Sequence, residues 1–142
     1  MDREYLLVQG ELYLGEPGTD AQAAKIRQGA DGWRFNGTAA GYDHVPLPAR
    51  AGERVRIWAV AAGPSSGTAL HVVGAPFDTV YKEGAYMLRT DDPGGAQVLD
   101  LAPAQGGFAE LVFPEAGTYP VVDHTMRQAE AGAHGLFQVS AP

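Results

Sequence analysis

The sequence of 142 residues contains no cysteine. This absence excludes disulfide bonds, thiolate metal ligands and a cysteine nucleophile. Long apolar runs are also missing, so we expect no membrane partner. The start of the chain, "MDREYLLVQGEL", lacks the basic-then-apolar pattern of a signal peptide. Two interpretations stay open: a cytoplasmic protein, or a mature segment without its leader.

Basic residues are few, with 10 Lys and Arg against 17 Asp and Glu and a formal net charge of -7. Without a basic stripe to neutralise phosphates, the chain is not expected to bind nucleic acid or an anionic membrane. The apolar share of 45% and the charged share of 19% are typical of a soluble globular protein. The length suits one domain with a single core.

Glycine and proline are abundant, with 19 and 10 residues, and they divide the chain into short β-branched and aromatic stretches. Several stretches alternate with period two. In "RVRIWAV", the residues Val55 and Ala59 share one face, whereas Arg54, Arg56 and Trp58 share the other. Turn signals recur every 8–12 residues or so, a spacing typical of a β-sandwich or small barrel. The fold class predicted is therefore all-β.

One segment has a helical pattern. "TDAQAAKIRQG" offers Thr19 or Asp20 as N-cap, good helix formers and Gly29 as a stop, which predicts a short helix over about residues 20–28. A second helical turn is expected at "TMRQAEAG", ending at Gly132. We predict that residues 1–35 form an N-terminal arm or linker, packed on the domain or on a neighbouring subunit, and that residues 36–142 form the domain.

The four histidines are the candidate chemical groups. His44, in the turn-like "GYDHVPLP", and His134, at the start of the last strand, fit ordinary hydrogen-bonded histidines. His71 lies inside the apolar strand "ALHVVG", where a polar side chain without a partner costs about 1–3 kcal/mol. His124 ends an equally apolar strand. A sheet can bring these two strand-borne histidines together.

Imidazole suits copper, zinc or iron, but two ligands seldom complete a metal site. A third ligand has to come from elsewhere in the chain or from another chain. Spacing alone leaves open whether His124 binds a metal or is an ordinary loop histidine. Two further motifs are interpreted as turns: "GPSSG" at residues 63–67, and "NGT" at residues 36–38 despite its match to the glycosylation sequon.

Several blocks of the sequence resemble, in order and spacing, the second cupredoxin domain of copper-containing nitrite reductases, a family of the multicopper oxidase superfamily. The resemblance runs from about Glu4 to Val139 and implies a cupredoxin-like Greek-key β-sandwich. The blocks are "EYLLVQGELYLG", "WRFNGTAAGYDHVPLPARAGERVRIWAVAAGP", "LHVVGAPFDTVY", "GGFAELVFPEAGTYPVVDH" and "GAHGLFQV".

The resemblance assigns roles to two histidines. The family's "V-[DN]-H" motif reads "VDH" here, which implies that His124 is a type 2 copper ligand. The "H-[LV]-[IV]-G" motif reads "HVVG", which implies that His71 is the catalytic proton donor beside bound nitrite. In this extracytoplasmic family the other type 2 ligands belong to an N-terminal cupredoxin domain, and three subunits form a ring. The implied partners are therefore that domain, identical chains in a homotrimer, or both.

The chain also departs from the superfamily pattern. Multicopper oxidases often end in "HCHIxxHxxxGM", whose Cys, last His and Met bind type 1 copper. Aligned on His124, this chain has Val122, Asp123, Gln128 and Ala133 at the first His, the Cys, the last His and the Met. The comparison implies copper at a shared type 2 site and no type 1 copper.

The first domain of the family has no counterpart in this sequence, so we expect the isolated chain to be catalytically incomplete. Two alternatives stay open. One is a stand-alone or engineered single cupredoxin domain that forms a homotrimer and acts as a non-catalytic scaffold or weak copper binder. The other is a structural module in which the histidines no longer have a role.

Overall fold

A computed structural model describes residues Met1–Pro142, which form eleven strands and three short helices. The strands are β1 (Arg3–Leu12), β2 (Gly32–Phe35), β3 (Val45–Arg50), β4 (Arg54–Gly63), β5 (Thr68–Val72), β6 (Thr79–Lys82), β7 (Ala85–Leu88), β8 (Leu99–Leu101), β9 (Gly106–Val112), β10 (Gly117–Asp123) and β11 (His134–Ser140). The helices are α1 (Asp20–Gln28), α2 (Gly41–His44) and α3 (Met126–Glu130).

The strands form two mixed sheets. One has the order β2-β1-β4-β9-β6-β7 and the other has the order β3-β11-β10-β5-β8. Pairing is antiparallel except between β1 and β4 and between β3 and β11. The predicted all-β sandwich is confirmed. One short helix, α2, was not expected: it is a single turn that contains His44.

Alternation along β4 shows why these residues form a half-buried strand. Val55, Ile57 and Ala59 have 0%, 0% and 3% of their surface exposed, and they face the opposite sheet. Arg56 and Trp58 point to the outer face, as the sequence predicts. The core between the sheets is completed by three fully buried phenylalanines and a set of aliphatic residues: Phe77, Phe113, Phe137, Leu7, Leu70, Leu99, Leu111, Val72 and Val121.

The first 35 residues contribute two strands to the six-stranded sheet, where β1 lies between β2 and β4. Leu7 of β1 and Phe35 of β2 are 1% and 2% exposed and belong to the core. The boundary near residue 35 stays a prediction. Helix α1 lies where the sequence predicts it, with the Thr19 hydroxyl accepting from Gln22 N, and it has no buried residue. None of the helices has the length and apolar character needed to span a membrane.

The "NGT" segment is a turn. The Asn36 amide nitrogen donates to the Leu6 carbonyl and to the Tyr42 hydroxyl oxygen, and its Oδ1 accepts from Val8 N. These bonds engage the whole side chain, so Asn36 fixes the turn after β2 against β1.

Candidate metal and proton-transfer site

Two neighbouring strands of the five-stranded sheet position the candidate histidines. In the antiparallel register of β5 and β10, His71 is paired with Val122. One residue beyond β10, the backbone N–H of His124 donates to the Ala69 carbonyl at 2.7 Å. The two imidazole rings meet edge to face, with centroids 5.2 Å apart and an interplanar angle of 73°. The sheet therefore brings together residues that are far apart in the sequence.

The two rings differ in their partners. The Nδ1 atom of His71 lies 2.6 Å from the carbonyl oxygen of Gln97. A carbonyl can only accept, so Nδ1 carries the proton in this contact and Nε2 is left for another partner. The His124 ring is exposed and makes no hydrogen bond within the chain. His71 is held in one orientation, whereas both nitrogens of His124 are available.

A buried carboxylate lies directly beside His124. Asp123 is 0% exposed, and its Oδ1 accepts from the backbone N–H groups of Ala69 and Thr125, each at 3.1 Å. Burial raises the pKa of Asp123 above its ordinary value, and these backbone hydrogen bonds oppose the rise. The sequence comparison treats Asp123 only as a substitute for a copper-binding cysteine. Strand alternation is the signal that could have revealed its burial, because Val121, two residues earlier, is also 0% exposed.

The residues that align with type 1 copper ligands are part of the interior. Gln128 is 8% exposed and Ala133 is 0% exposed. The terminal amide of Gln128 lies 2.6 Å from Asp123 Oδ2 and 3.0 Å from the Gly67 carbonyl oxygen, when its nitrogen faces these two acceptors. Gln9 of β1, 0% exposed, packs beside it. A network of amide and carboxylate groups fills this space and links the two sheets.

The other two histidines lie outside this site. His44 is exposed at the end of α2. His134 has both nitrogens bonded, with Nδ1 2.6 Å from the Ala129 carbonyl oxygen and Nε2 2.8 Å from Asp43 Oδ2. Burial of the ring opposes protonation, but the bonds to Ala129 and Asp43 prevail and raise the pKa of His134. His134 is thus a hydrogen-bonded structural histidine, as the sequence predicts.

The chain alone offers an incomplete donor set. It brings no group of three or more His, Cys, Asp or Glu side chains into a position to hold a metal ion. Each histidine is followed two residues later by an exposed apolar side chain: Val73, which is 43% exposed, after His71, and Met126, which is 49% exposed, after His124.

The order of the strands in two packed mixed sheets defines a cupredoxin-like β-sandwich, and comparison with known proteins shows which proteins the chain resembles. No family model matches the chain. A copper-containing nitrite reductase of Neisseria meningitidis serogroup A is 31% identical over an alignment 149 residues long, gaps included, which covers 98% of this chain and 37% of that protein. The chain therefore spans little more than a third of the length of this curated relative.

Solved structures of copper-containing nitrite reductases show the same similarity. A copper nitrite reductase from Nitrosomonas europaea matches 98% of this chain and 49% of its own, with a TM-score of 0.82 and 31% identity. A copper-containing nitrite reductase from Thermus scotoductus SA-01 also gives a TM-score of 0.82, at 28% identity, over 98% of this chain and 31% of its own. The resemblance in the sequence is confirmed: the chain is a cupredoxin-like domain that is similar, over nearly its whole length, to part of copper-containing nitrite reductases.

Proposed function

We propose that this chain is the C-terminal cupredoxin domain of a nitrite reductase-like copper oxidoreductase. In this proposal His124 supplies one type 2 copper ligand, and His71 supplies a proton during reduction of nitrite to nitric oxide. The other ligands come from another domain or chain. The observation that carries the proposal is the edge-to-face contact of the two rings at 5.2 Å, on the two strands that bear the family-like motifs.

The donor chemistry fits copper. Imidazole nitrogen is a ligand that copper accepts readily, and a ligand needs a nitrogen that is not already hydrogen-bonded. His124 meets this condition, because its ring is exposed and free of partners in the chain. When bound, copper would supply an electron and a template for a small anion.

The surroundings of His71 suit proton transfer rather than metal binding. Its Nδ1–H is directed at the Gln97 carbonyl oxygen, which fixes the tautomer and leaves Nε2 as the nitrogen that exchanges a proton. Reduction of nitrite to nitric oxide and water consumes two protons and one electron, so a side chain that can donate a proton is useful beside the substrate. The edge-to-face contact, with ring centroids 5.2 Å apart, keeps the His71 ring close to His124.

The incomplete donor set argues for a shared site. Two imidazoles do not complete a copper site, and no third metal-binding side chain of this chain is near. The exposed apolar side chains of Val73 and Met126, each two residues after one of the histidines, suit burial against another domain or chain. We propose an N-terminal cupredoxin domain, identical chains in a homotrimer, or both, as these partners, and an extracytoplasmic location for the parent enzyme. Without cysteine, no type 1 copper site is proposed here.

The main alternative is a single cupredoxin domain that assembles with two copies of itself and does no catalysis. The same incomplete site supports it, because a three-fold axis would repeat His124 three times and close a site between chains. The two proposals differ in what the isolated chain does with copper.

Copper content and native mass, measured together on purified chain given Cu(II), test these proposals. The self-assembling alternative predicts a trimer that holds copper, whereas the domain proposal predicts that stable copper binding needs the partner domain. In the complete enzyme, His124→Ala should lose the type 2 copper, and His71→Ala should lower turnover while retaining it. His44→Ala, at an exposed histidine outside the site, is the control. Copper loss in His71→Ala but not in His124→Ala would show that the two roles are exchanged.

A further inference from the structure

The buried carboxylate of Asp123 holds the backbone on both sides of the site together. Its Oδ1 accepts from Ala69 N on β5 and from Thr125 N, the residue after His124, both at 3.1 Å. His124 itself donates its backbone N–H to the Ala69 carbonyl at 2.7 Å. The backbone of His124 is therefore bonded directly to β5. The Asp123 side chain also fixes the residue after it, Thr125, and the strand beside it.

The second carboxylate oxygen connects this arrangement to helix α3. Asp123 Oδ2 lies 2.6 Å from the Gln128 amide nitrogen, which also reaches the Gly67 carbonyl oxygen at 3.0 Å. Because α3 begins two residues after His124, a fixed Gln128 limits how far the loop can move. The two side chains are buried, with Asp123 0% and Gln128 8% exposed, so loss of the hydrogen bond between them leaves the Gln128 amide with little access to water.

A buried carboxylate without a cationic partner is unfavourable for folding in itself. No lysine or arginine forms a salt bridge with Asp123. The carboxylate oxygens of Asp123 nevertheless accept hydrogen bonds from three donors on three separate segments: β5, the turn after β10, and α3. A side chain that costs stability but orders the segment carrying His124 is better explained by positioning than by packing.

We infer that Asp123 is a positioning residue that sets the orientation of the His124 ring relative to His71. The carboxylate joins Ala69, Thr125 and Gln128 around the histidine without touching a substrate. The ring geometry itself is a property of the chain and does not depend on the proposed function. Its importance for copper does rest on that function.

The test compares Asp123→Ala with Asp123→Asn. An asparagine Oδ1 can accept the same two backbone N–H groups, and the Gln128 amide can turn to accept from its Nδ2, so this variant should keep the hydrogen bonds of residue 123 although Gln128 no longer donates to Gly67. Alanine removes every acceptor. Val121→Ala is the control for general loss of stability, because Val121 is 0% exposed on the same strand and takes no part in the network.

Two measurements by NMR on the isolated chain decide the question without any metal. In Asp123→Ala, amide exchange at Thr125 should become about 10-fold faster or more, and the nuclear Overhauser contacts between the two imidazole rings should weaken or vanish. Asp123→Asn and Val121→Ala should keep both signals close to the parent chain. Unchanged ring contacts in Asp123→Ala, or an equal loss in Val121→Ala, would overturn the inference.

Copper affinity in a copper-binding assembly gives a separate result. Loss of a group that orients a metal ligand typically weakens binding by about 10- to 100-fold. Asp123→Ala should show a decrease of that size, and Asp123→Asn should not. If the parent assembly takes up no copper, the proposed function fails, while the NMR comparison still decides whether Asp123 positions the ring.

Discussion

Leu70 lies at the centre of the strand that carries His71, and its truncation should destabilise the fold without changing the chemistry of the site. Its side chain is 0% exposed and faces the core, and in the sheet register Leu70 is paired with Asp123 on one side and with Leu99 on the other. Leu70→Ala removes buried apolar carbon and leaves a cavity between closely packed neighbours, which costs about 2–5 kcal/mol.

The expected loss of stability can be followed by circular dichroism, in thermal unfolding and in urea unfolding. Since 1 kcal/mol shifts Tm by about 3 °C in a chain of this size, a cost near 3 kcal/mol corresponds to a fall of roughly 10 °C. The denaturant midpoint should fall while the m-value stays the same, because the surface exposed on unfolding hardly changes. Leu6→Ala is the matched control: Leu6 is also on a strand but is 54% exposed, so its truncation should stay within about 0.5 kcal/mol.

Equally small effects of Leu70→Ala and Leu6→Ala would contradict this prediction. That result would mean that β5 is not anchored in the core as the structure shows. A fall in the m-value together with the midpoint would instead point to a change in the unfolded ensemble or to loss of two-state behaviour.

Two further predictions concern pH and backbone packing. The pKa of His134 is raised above the ordinary value of 6.5, so its contribution to stability is fully present below that pH and is lost as pH rises through the raised pKa. Asp43→Asn should flatten this dependence in urea unfolding between about pH 5.5 and 8.5, and identical pH profiles for parent and variant would contradict the assignment. A Cβ at Gly107 would lie 2.2 Å from the carbonyl oxygen of Tyr81, whereas one at Gly10 would meet nothing within 4 Å. Gly107→Ala should therefore cost about 1–3 kcal/mol or more in chemical denaturation and Gly10→Ala much less, and equal losses would refute the close β6–β9 approach.

Much of the fold could be predicted from local patterns. Period-two alternation around Ile57 predicts which face of β4 is buried, and the capping residue Thr19 predicts helix α1. These features depend on neighbours in the sequence. By contrast, β1 pairs in parallel with β4, about fifty positions later, so the place of the first residues in the sheet depends on contacts that local patterns do not encode.

In the site, too, some features could be predicted from local sequence and others depend on residues that are distant in the sequence. Motif resemblance singles out His71 and His124, but the ring contact depends on the register that pairs Val122 with His71. The role of Asp123 was missed because its acceptor bonds to Ala69 come from a strand 54 positions away. The partner of His134 was equally remote, since Asp43 lies 91 positions earlier. Contacts between polar side chains that are distant in the sequence, inside the site and outside it, are what local sequence patterns cannot predict.

The position of β11 in the five-stranded sheet constrains when that sheet can form during synthesis. Residues 134–140 are the last of the strands to be made, yet they lie between β3 and β10 and connect them. The backbone N–H of Asp123 also donates to the carbonyl of Ala133, just before this strand. A nascent chain that stops short of residue 134 can therefore pair β10 with β5, but it has no strand on which to dock β3. Completion of the histidine-bearing sheet should therefore wait for β11, and a ribosome-stalled chain lacking β11 should be readily cleaved by proteases.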